Sequence, residues 1–461
     1  MNHITRREML RAMGLISAGG LVRAKAIGNV PITEVREDVG APPPFEGNPI
    51  TAITLGAGNR GNVYGNYALK NPGQVRIVGV AEPIPFRNQR YADTHSIGGD
   101  NRFTTWEQVF ERPKFADAVI ITTPDNLHYG PAMKALEMGY DLLLEKPIAQ
   151  SWQQCRDILD QANRYNRIVA VCHVLRYAPY YRKVREVLAA GTLGTLTSVS
   201  HMEPIQHQHM AHSYVRGIWR REEDGVPILL AKSCHDLDIL RWWLDRPCRY
   251  VTSFGSLTWF KEENAPEGAP LRCTDGCPVE ASCPYSALRI YLREQKHMGH
   301  LDVPPRGDPS REEVILQRLR EGQYGRCVYH CDNTVNDHQV VSMEFQGGVT
   351  VNFNMEAFTS YAGRRTRIMG TMGDLVGDED ELYIADFRKD SIIKWVTREN
   401  SSNLSGHGGG DWGLMRDFVE AVSRQDPSLL SSSLEASMES HLMGFMAEKS
   451  RHDRTVEKVQ L

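Results

Sequence analysis

Ile50-Thr51-Ala52-Ile53-Thr54-Leu55-Gly56-Ala57-Gly58-Asn59-Arg60-Gly61 is the stretch whose reading decides the fold. A short, apolar, β-branched run enters a Gly-x-Gly-x-x-Gly turn, and a helical pattern continues to Lys70. The three glycines serve different purposes. Gly56 makes the tight turn, Gly58 lets the backbone approach a diphosphate, and Gly61 allows close helix–strand packing. The diphosphate of a dinucleotide would rest on the helix N-terminus, where free N–H groups and the dipole favour an anion, with Asn59 and Arg60 in the same turn.

Glycine spacing alone is weak evidence, so the flanking residues matter. Val75–Ala81 reads as a second strand and ends in Glu82, 21 residues after Gly61, where an acid holds the ribose hydroxyls. An acid there repels a 2′-phosphate and favours NAD over NADP, although Arg87 close by pulls the other way. Residues 116–123 form a near-continuous apolar run, as in a fully buried parallel strand. Thr123, Pro124, Asn126 and His128 follow at its C-terminal end, where such sheets bind ligands. A helix over 129–138, a strand over 141–144 and then Glu145-Lys146-Pro147 continue the alternation, which predicts a doubly wound parallel sheet.

The chain has 461 residues, enough for two or three domains of roughly 150. Lys+Arg number 53 and Asp+Glu 57, a net charge of −4, which leaves no electrostatic footprint for nucleic acid or an anionic membrane. No apolar run reaches the about 18 residues of a membrane span. Composition also excludes a disordered, collagenous, coiled-coil or disulfide-stapled miniprotein. Arg6-Arg7, the apolar stretch from Ala12 to Val22 and Ala24-Lys25-Ala26 read residues 1–26 as a twin-arginine signal peptide. The expectation is export by that machinery, already folded and cofactor-loaded, to the periplasm or outside; without the signal the protein would be cytoplasmic. Residues 27–49, with Pro31, Pro42, Pro43 and Pro44, read as a linker lying over the surface.

Four features together resemble the Gfo/Idh/MocA family, named for glucose–fructose oxidoreductase and inositol dehydrogenase. They are the glycine motif at 56–61, Thr123-Pro124-Asp125-Asn126 with His128, Glu145-Lys146-Pro147, and Ser233-Cys234-His235-Asp236-Leu237-Asp238. His173-Val174-Leu175-Arg176-Tyr177 fits the domain crossover. The resemblance implies a Rossmann domain over 50–172, then over 173–461 an α+β substrate domain with a large, mostly antiparallel sheet. It implies an NAD(P)-dependent oxidoreductase acting on a sugar, polyol or sugar derivative, working as a homo-oligomer. Cofactor contacts would come from Gly56, Gly58, Asn59, Arg60, Gly61, Glu82, Thr123, Pro124, Asn126, His128, Glu145 and Lys146. Lys146 would stand by the nicotinamide and His235 would be the acid/base. Redox-neutral alternatives are an NAD-dependent glycosidase acting through a transient keto-sugar and a sugar transhydrogenase with tightly held NAD(P).

One position departs from the family. Reading a helix over 229–244, the usual aspartate one turn before His235 is Ala231, followed by Lys232. A lysine in that turn would depress the histidine, and Asp238 is the carboxylate left to orient it. Arg176, Tyr177, Lys232 and His407 are the further candidates for substrate contact. His407 lies in the glycine loop Gly406–Gly410, with Asp411 read as the N-cap of the next helix.

Two clusters invite metals. His201, His207, His209 and His212 crowd one segment, in which His209, His212 and Arg216 suit sugar hydroxyls better than zinc, for no carboxylate or cysteine completes a recognisable set. Of nine cysteines, five fall in the insertion 273–331. They could hold structural zinc through Cys277, Cys283, Cys327 and Cys331, with Cys273 spare, or close disulfides, or do neither. Alternating strands over 340–345, 349–356 and about 365–370, then helices over 412–423 and 432–448, complete the reading.

Overall fold

A computed structural model describes residues 31–37, 44–397 and 407–461; the signal peptide expected over 1–26 lies outside the described residues. The chain opens on strand β1 (Ile32–Glu37), which corrects the linker reading: it pairs in parallel with residues 392–397 at the edge of the C-terminal sheet. Its alternating apolar and charged residues leave only Val35 partly covered, so pairing rather than burial holds it.

Next come β2 (Ile50–Leu55), α1 (Asn59–Lys70), β3 (Val75–Ala81), α2 (Pro85–Thr94), β4 (Arg102–Phe103), β5 (Ala118–Ile121), α3 (Tyr129–Glu137), β6 (Asp141–Leu144), α4 (Trp152–Tyr165) and β7 (Val169–Val171). The strands are parallel in the order β4-β3-β2-β5-β6-β7. Every residue of β5 and β6 is buried, as strands covered on both faces must be. Strand order reverses between β2 and β5, which opens a crevice beyond their C-terminal ends, directly over the glycine turn.

After α5 (Pro179–Ala189) the second domain is built from β8 (Leu196–Pro204), α6 (Cys234–Leu244), β9 (Cys248–Ser256), α7 (Arg311–Glu321), β10 (His338–Phe345), β11 (Val349–Glu356), β12 (Arg365–Gly370), β13 (Gly373–Gly377), β14 (Glu381–Asp386), β15 (Ser391–Thr397), α8 (Gly410–Arg424), α9 (Leu434–Asp453) and β16 (Glu457–Lys458). The ten strands run β1-β15-β14-β13-β12-β8-β11-β10-β9-β16, antiparallel except at β8–β11 and β1–β15. Val341, Met343, Val351 and Phe353 alternate inward and pack with Leu237, Leu240 and Trp243 of α6 and Leu442 and Met443 of α9.

Three departures shape the site. The insertion between β9 and β10 has its own small core of Ile290, Tyr291, Leu301, Ile315 and Leu319. Helix α8 turns back to the first sheet, where Leu414, Phe418 and Val419 share a core with Ile77 and Ile120. The helix expected over 229–244 is two pieces, Ile228–Ala231 and α6, broken at Lys232-Ser233. Ser233 leaves helical geometry (φ −95°, ψ 9°), and the Ala231 carbonyl accepts the Lys146 ammonium. Ala231 therefore does not stack one helical turn beneath His235.

Candidate active site

The glycine turn has the shape a dinucleotide needs. Gly56 sits at φ +91°, and a Cβ there would lie 2.6 Å from the Thr122 carbonyl oxygen. A Cβ on Gly61 would lie 2.2 Å from the Gly56 carbonyl oxygen, so helix and turn touch as only glycine permits. At Gly58 a Cβ would meet only Arg87 Nη1 at 3.9 Å, which leaves the cradle open for a ligand to approach the backbone. The Asn62 side chain donates to the Ala57 and Gly58 carbonyls at 2.8 and 2.6 Å and locks the turn, a role the glycine spacing does not reveal. Buried Glu82 accepts from the Ala57 and Ile84 amides at 2.7 and 3.0 Å, so its carboxylate is fixed at the rim of the cradle. These residues fit a dinucleotide.

The side chains of Arg60 and Glu145, both expected to contact the cofactor, pair with each other. Arg60 donates to Glu145 at 2.5 Å, to Asp411 at 2.7 Å and to the Tyr64 hydroxyl. Burial pushes Glu145 up, but the Arg60 and Lys146 charges outweigh it and hold the carboxyl below its usual value. The pair, with Asp411, braces the glycine turn against the end of β6 and the start of α8. His128 is likewise a staple: its ring nitrogens lie 2.7 Å from the Pro147 carbonyl and 3.1 Å from that of Thr123, tying the two loops together. The Thr123 hydroxyl is spent on the Leu127 carbonyl, while Pro124 and Asn126 stay exposed at the rim. Asp125, which the sequence reading passed over, accepts Trp219 Nε1 at 3.1 Å and bridges to the second domain.

Lys146 emerges after β6 and donates to the Ala231 carbonyl at 2.6 Å, so the position expected to carry aspartate supplies a main-chain oxygen instead. His235 is buried, its Nδ1 has no hydrogen-bond partner, and its ring centre lies 5.7 Å from that of His407 and 6.0 Å from that of His173. Burial first, then the Lys146 charge, pushes His235 well below the ordinary histidine value. The expected depressor, Lys232, is instead turned 3.2 Å from Glu203. His407 Nδ1 lies 3.2 Å from each Asp411 oxygen. Asp411 is not the N-cap, a place Gly409 takes without a side-chain bond; its buried carboxylate joins His407 and Arg60. Burial raises Asp411, and His407 and Arg60 more than reverse the effect.

Several expected substrate contacts are structural. Arg176 grips Asp238 at 2.7 and 2.6 Å, so Asp238 does not orient His235 and Arg176 has no free donor edge. Tyr177 shares its hydroxyl with Ser432. Arg216 is fully buried and donates to the Arg326 and Tyr285 carbonyls at 2.6 and 2.8 Å, pinning down the insertion. His209 and His212 stack on His297 with ring centres 5.6 and 4.7 Å away, and burial takes them down to about 3 and about 2. His212 is buried and also stacks on Tyr324, whereas His209 stays partly exposed. The sequence reading also missed a buried network in which His201, Arg364 and Asp236 join: Asp236 accepts from Arg364 at 2.6 Å and lies 3.0 Å from His201.

All nine cysteines are free thiols. Cys273, Cys277, Cys283 and Cys327 line one narrow cavity with Arg216. Among the described residues no group of three or more His, Cys, Asp or Glu side chains is disposed to hold a metal ion. The expected zinc set of Cys277, Cys283, Cys327 and Cys331 is thus not supported. Cys331 turns its thiol to the Cys327 carbonyl at 3.2 Å, and Cys273, the supposed spare, takes its place in the cavity.

A dinucleotide cradle at a topological switch point, beside a lysine and histidines roofed by a second, mostly antiparallel domain, defines the class of two-domain NAD(P)-dependent oxidoreductases. Residues 50–173 match the model of the oxidoreductase family's NAD-binding Rossmann fold, and residues 185–461 that of its C-terminal alpha/beta domain; the chain belongs to the Gfo/Idh/MocA family. Among curated proteins it is 26% identical over 323 residues to the YteT protein of Bacillus subtilis (strain 168), covering 66% of this chain and 72% of that one. To 1,5-anhydro-D-fructose reductase of Ensifer adhaerens it is 29% identical over 189 residues, 40% of this chain and 54% of the reductase, so it spans only about half of that relative. An inositol dehydrogenase homolog complexed with NAD+ from Azotobacter vinelandii shares the fold with a TM-score of 0.63 at 16% identity, covering 89% of this chain and 97% of that one.

Proposed function

We propose that this protein oxidises or reduces a hydroxyl-bearing carbon of a sugar, polyol or sugar derivative, with NAD held in the Gly56–Gly61 cradle. The observation that carries the reading is the gathering of Lys146, His235 and His407 beyond the strand ends that flank the cradle. The bound nicotinamide supplies the hydride acceptor or donor. Lys146, steadied by the Ala231 carbonyl, keeps ammonium protons to donate to the reacting oxygen and to stabilise alkoxide charge as it develops. His235, kept neutral, stands beside Lys146 and His407 to hydrogen-bond a substrate hydroxyl. His407, held by Asp411 and half-exposed, exchanges the hydroxyl proton with water. The names of the anhydrofructose reductase and the inositol dehydrogenase homolog support the substrate class. Nothing in the geometry favours the redox-neutral glycosidase route over direct hydride exchange.

The test is to titrate the purified protein with NAD by tryptophan fluorescence, then to screen cyclic polyols, aldoses and anhydrosugars for absorbance change at the nicotinamide band. Saturable NAD binding with turnover of one such class supports the reading. Absence of dinucleotide binding would sink it.

A further inference from the structure

The insertion does more than cover the second domain. Its Asp302 reaches the Rossmann domain and grips Arg87 with both oxygens, Oδ1 at 3.2 Å from Nε and Oδ2 at 2.7 Å from Nη2. The pair is four-fifths sheltered from solvent, with side-chain exposures of 20% and 23%. Arg87 stands in the first turn of α2, just after Glu82, and its free Nη1 is the atom that would approach a Cβ at Gly58. The guanidinium therefore lies between the cradle and the acid at the end of β3, where the 2′-position of an adenosine ribose would come. An arginine at this place accommodates a 2′-phosphate through paired N–H···O bonds, provided its donor edge is free. In this chain the Nε–Nη2 edge is already taken by a carboxylate whose charge offsets the guanidinium and repels a phosphate, which leaves Nη1 alone toward the cradle.

We propose that Asp302 is a specificity-determining residue, a carboxylate carried in from the insertion that occupies Arg87 and so denies NADP its phosphate partner. The proposal rests on the dinucleotide reading above. It adds to the repulsion from Glu82 a second, separable device that no residue of the Rossmann domain supplies.

The experiment measures dissociation constants of NAD and NADP by fluorescence titration for the full protein and for Asp302→Asn. The expected result is NADP binding tightened about tenfold, the scale of a freed arginine–phosphate pair, with NAD changed less than about threefold. Adding Arg87→Ala to Asp302→Asn should return NADP binding to its starting value. Asp302→Ser reads the same question should the asparagine variant fold poorly. NADP affinity unchanged, NAD and NADP shifting together, or a gain that survives loss of Arg87 would each overturn the proposal while leaving the dinucleotide site intact. A protein that binds neither nucleotide in any form would instead remove the functional reading beneath it.

Discussion

His407 Nδ1 lies 3.2 Å from both carboxylate oxygens of Asp411, and its ring centre is 5.7 Å from that of His235. The carboxylate fixes the orientation of His407 and which ring nitrogen carries the proton, as carboxylates do for imidazoles that move protons. His407→Ala should lower turnover about 100-fold or more, Asp411→Asn by less, each with NAD affinity nearly unchanged. Steady-state kinetics across pH check the assignment. If the rate's pH-dependent limb survives in His407→Ala and disappears in His235→Asn, the two roles are reversed.

His235 should stay neutral wherever the protein is folded near neutral pH, because burial and the Lys146 charge both oppose its protonation. Histidine-selective NMR would then show one ring resonance, absent from His235→Asn, that does not move between about pH 5.5 and 8. Titration of that resonance near its ordinary value would contradict the buried environment.

Lys146→Met should cut turnover by about 100- to 1,000-fold, the scale of losing one donor to a developing oxyanion, while NAD binds within about threefold of wild type. Full activity in the variant would take Lys146 out of the mechanism. Joint loss of activity and NAD affinity would recast it as a binding residue.

Glu222 offers a test of stability. It lies 3.2 Å from Arg451, yet burial raises its carboxyl from 4.5 to about 7, with Arg451 opposing and Glu448 and Glu223 adding. A carboxyl whose folded value exceeds its unfolded one contributes stability in full below about 4.5, and loses it as pH rises through about 7. Glu222→Gln should abolish this slope, so that wild type loses up to about 3 kcal/mol relative to the variant between about pH 4.5 and 8. Urea denaturation at both ends measures it, and parallel curves would show that Glu222 does not titrate as argued.

The Rossmann half was legible because its signals are local. β2, Gly56, Gly58, Gly61 and Glu82 lie within one continuous stretch, and buried β5 announces itself by an unbroken apolar run. β1 was not legible, since Ile-Thr-Glu-Val-Arg-Glu becomes a strand only against β15, whose residues lie far along the chain. The same distance defeats the reading of charged side chains. Arg176 and Arg216 look like exposed donors until Asp238 and the Tyr285 and Arg326 carbonyls are folded against them. Asp411 at a helix start looks like a cap until Arg60 reaches it. The glycines around His407 single out that loop in the sequence, and the structure adds the carboxylate that orients its imidazole.

The return of α8 to the first sheet has a consequence for how the molecule comes into being. Asp411 completes the brace on Arg60, and Leu414, Phe418 and Val419 close one side of the nucleotide-binding core. Domains ordinarily fold in turn as they leave the ribosome, N-terminal first. Here the first half emerges with a missing wall, and its pocket cannot close until α8 has been made, since Arg60 and Asp411 stand 351 positions apart. Synthesis through α8 thus precedes closure of the nucleotide-binding core, and a truncated product ending before α8 would leave its apolar core open to proteolysis.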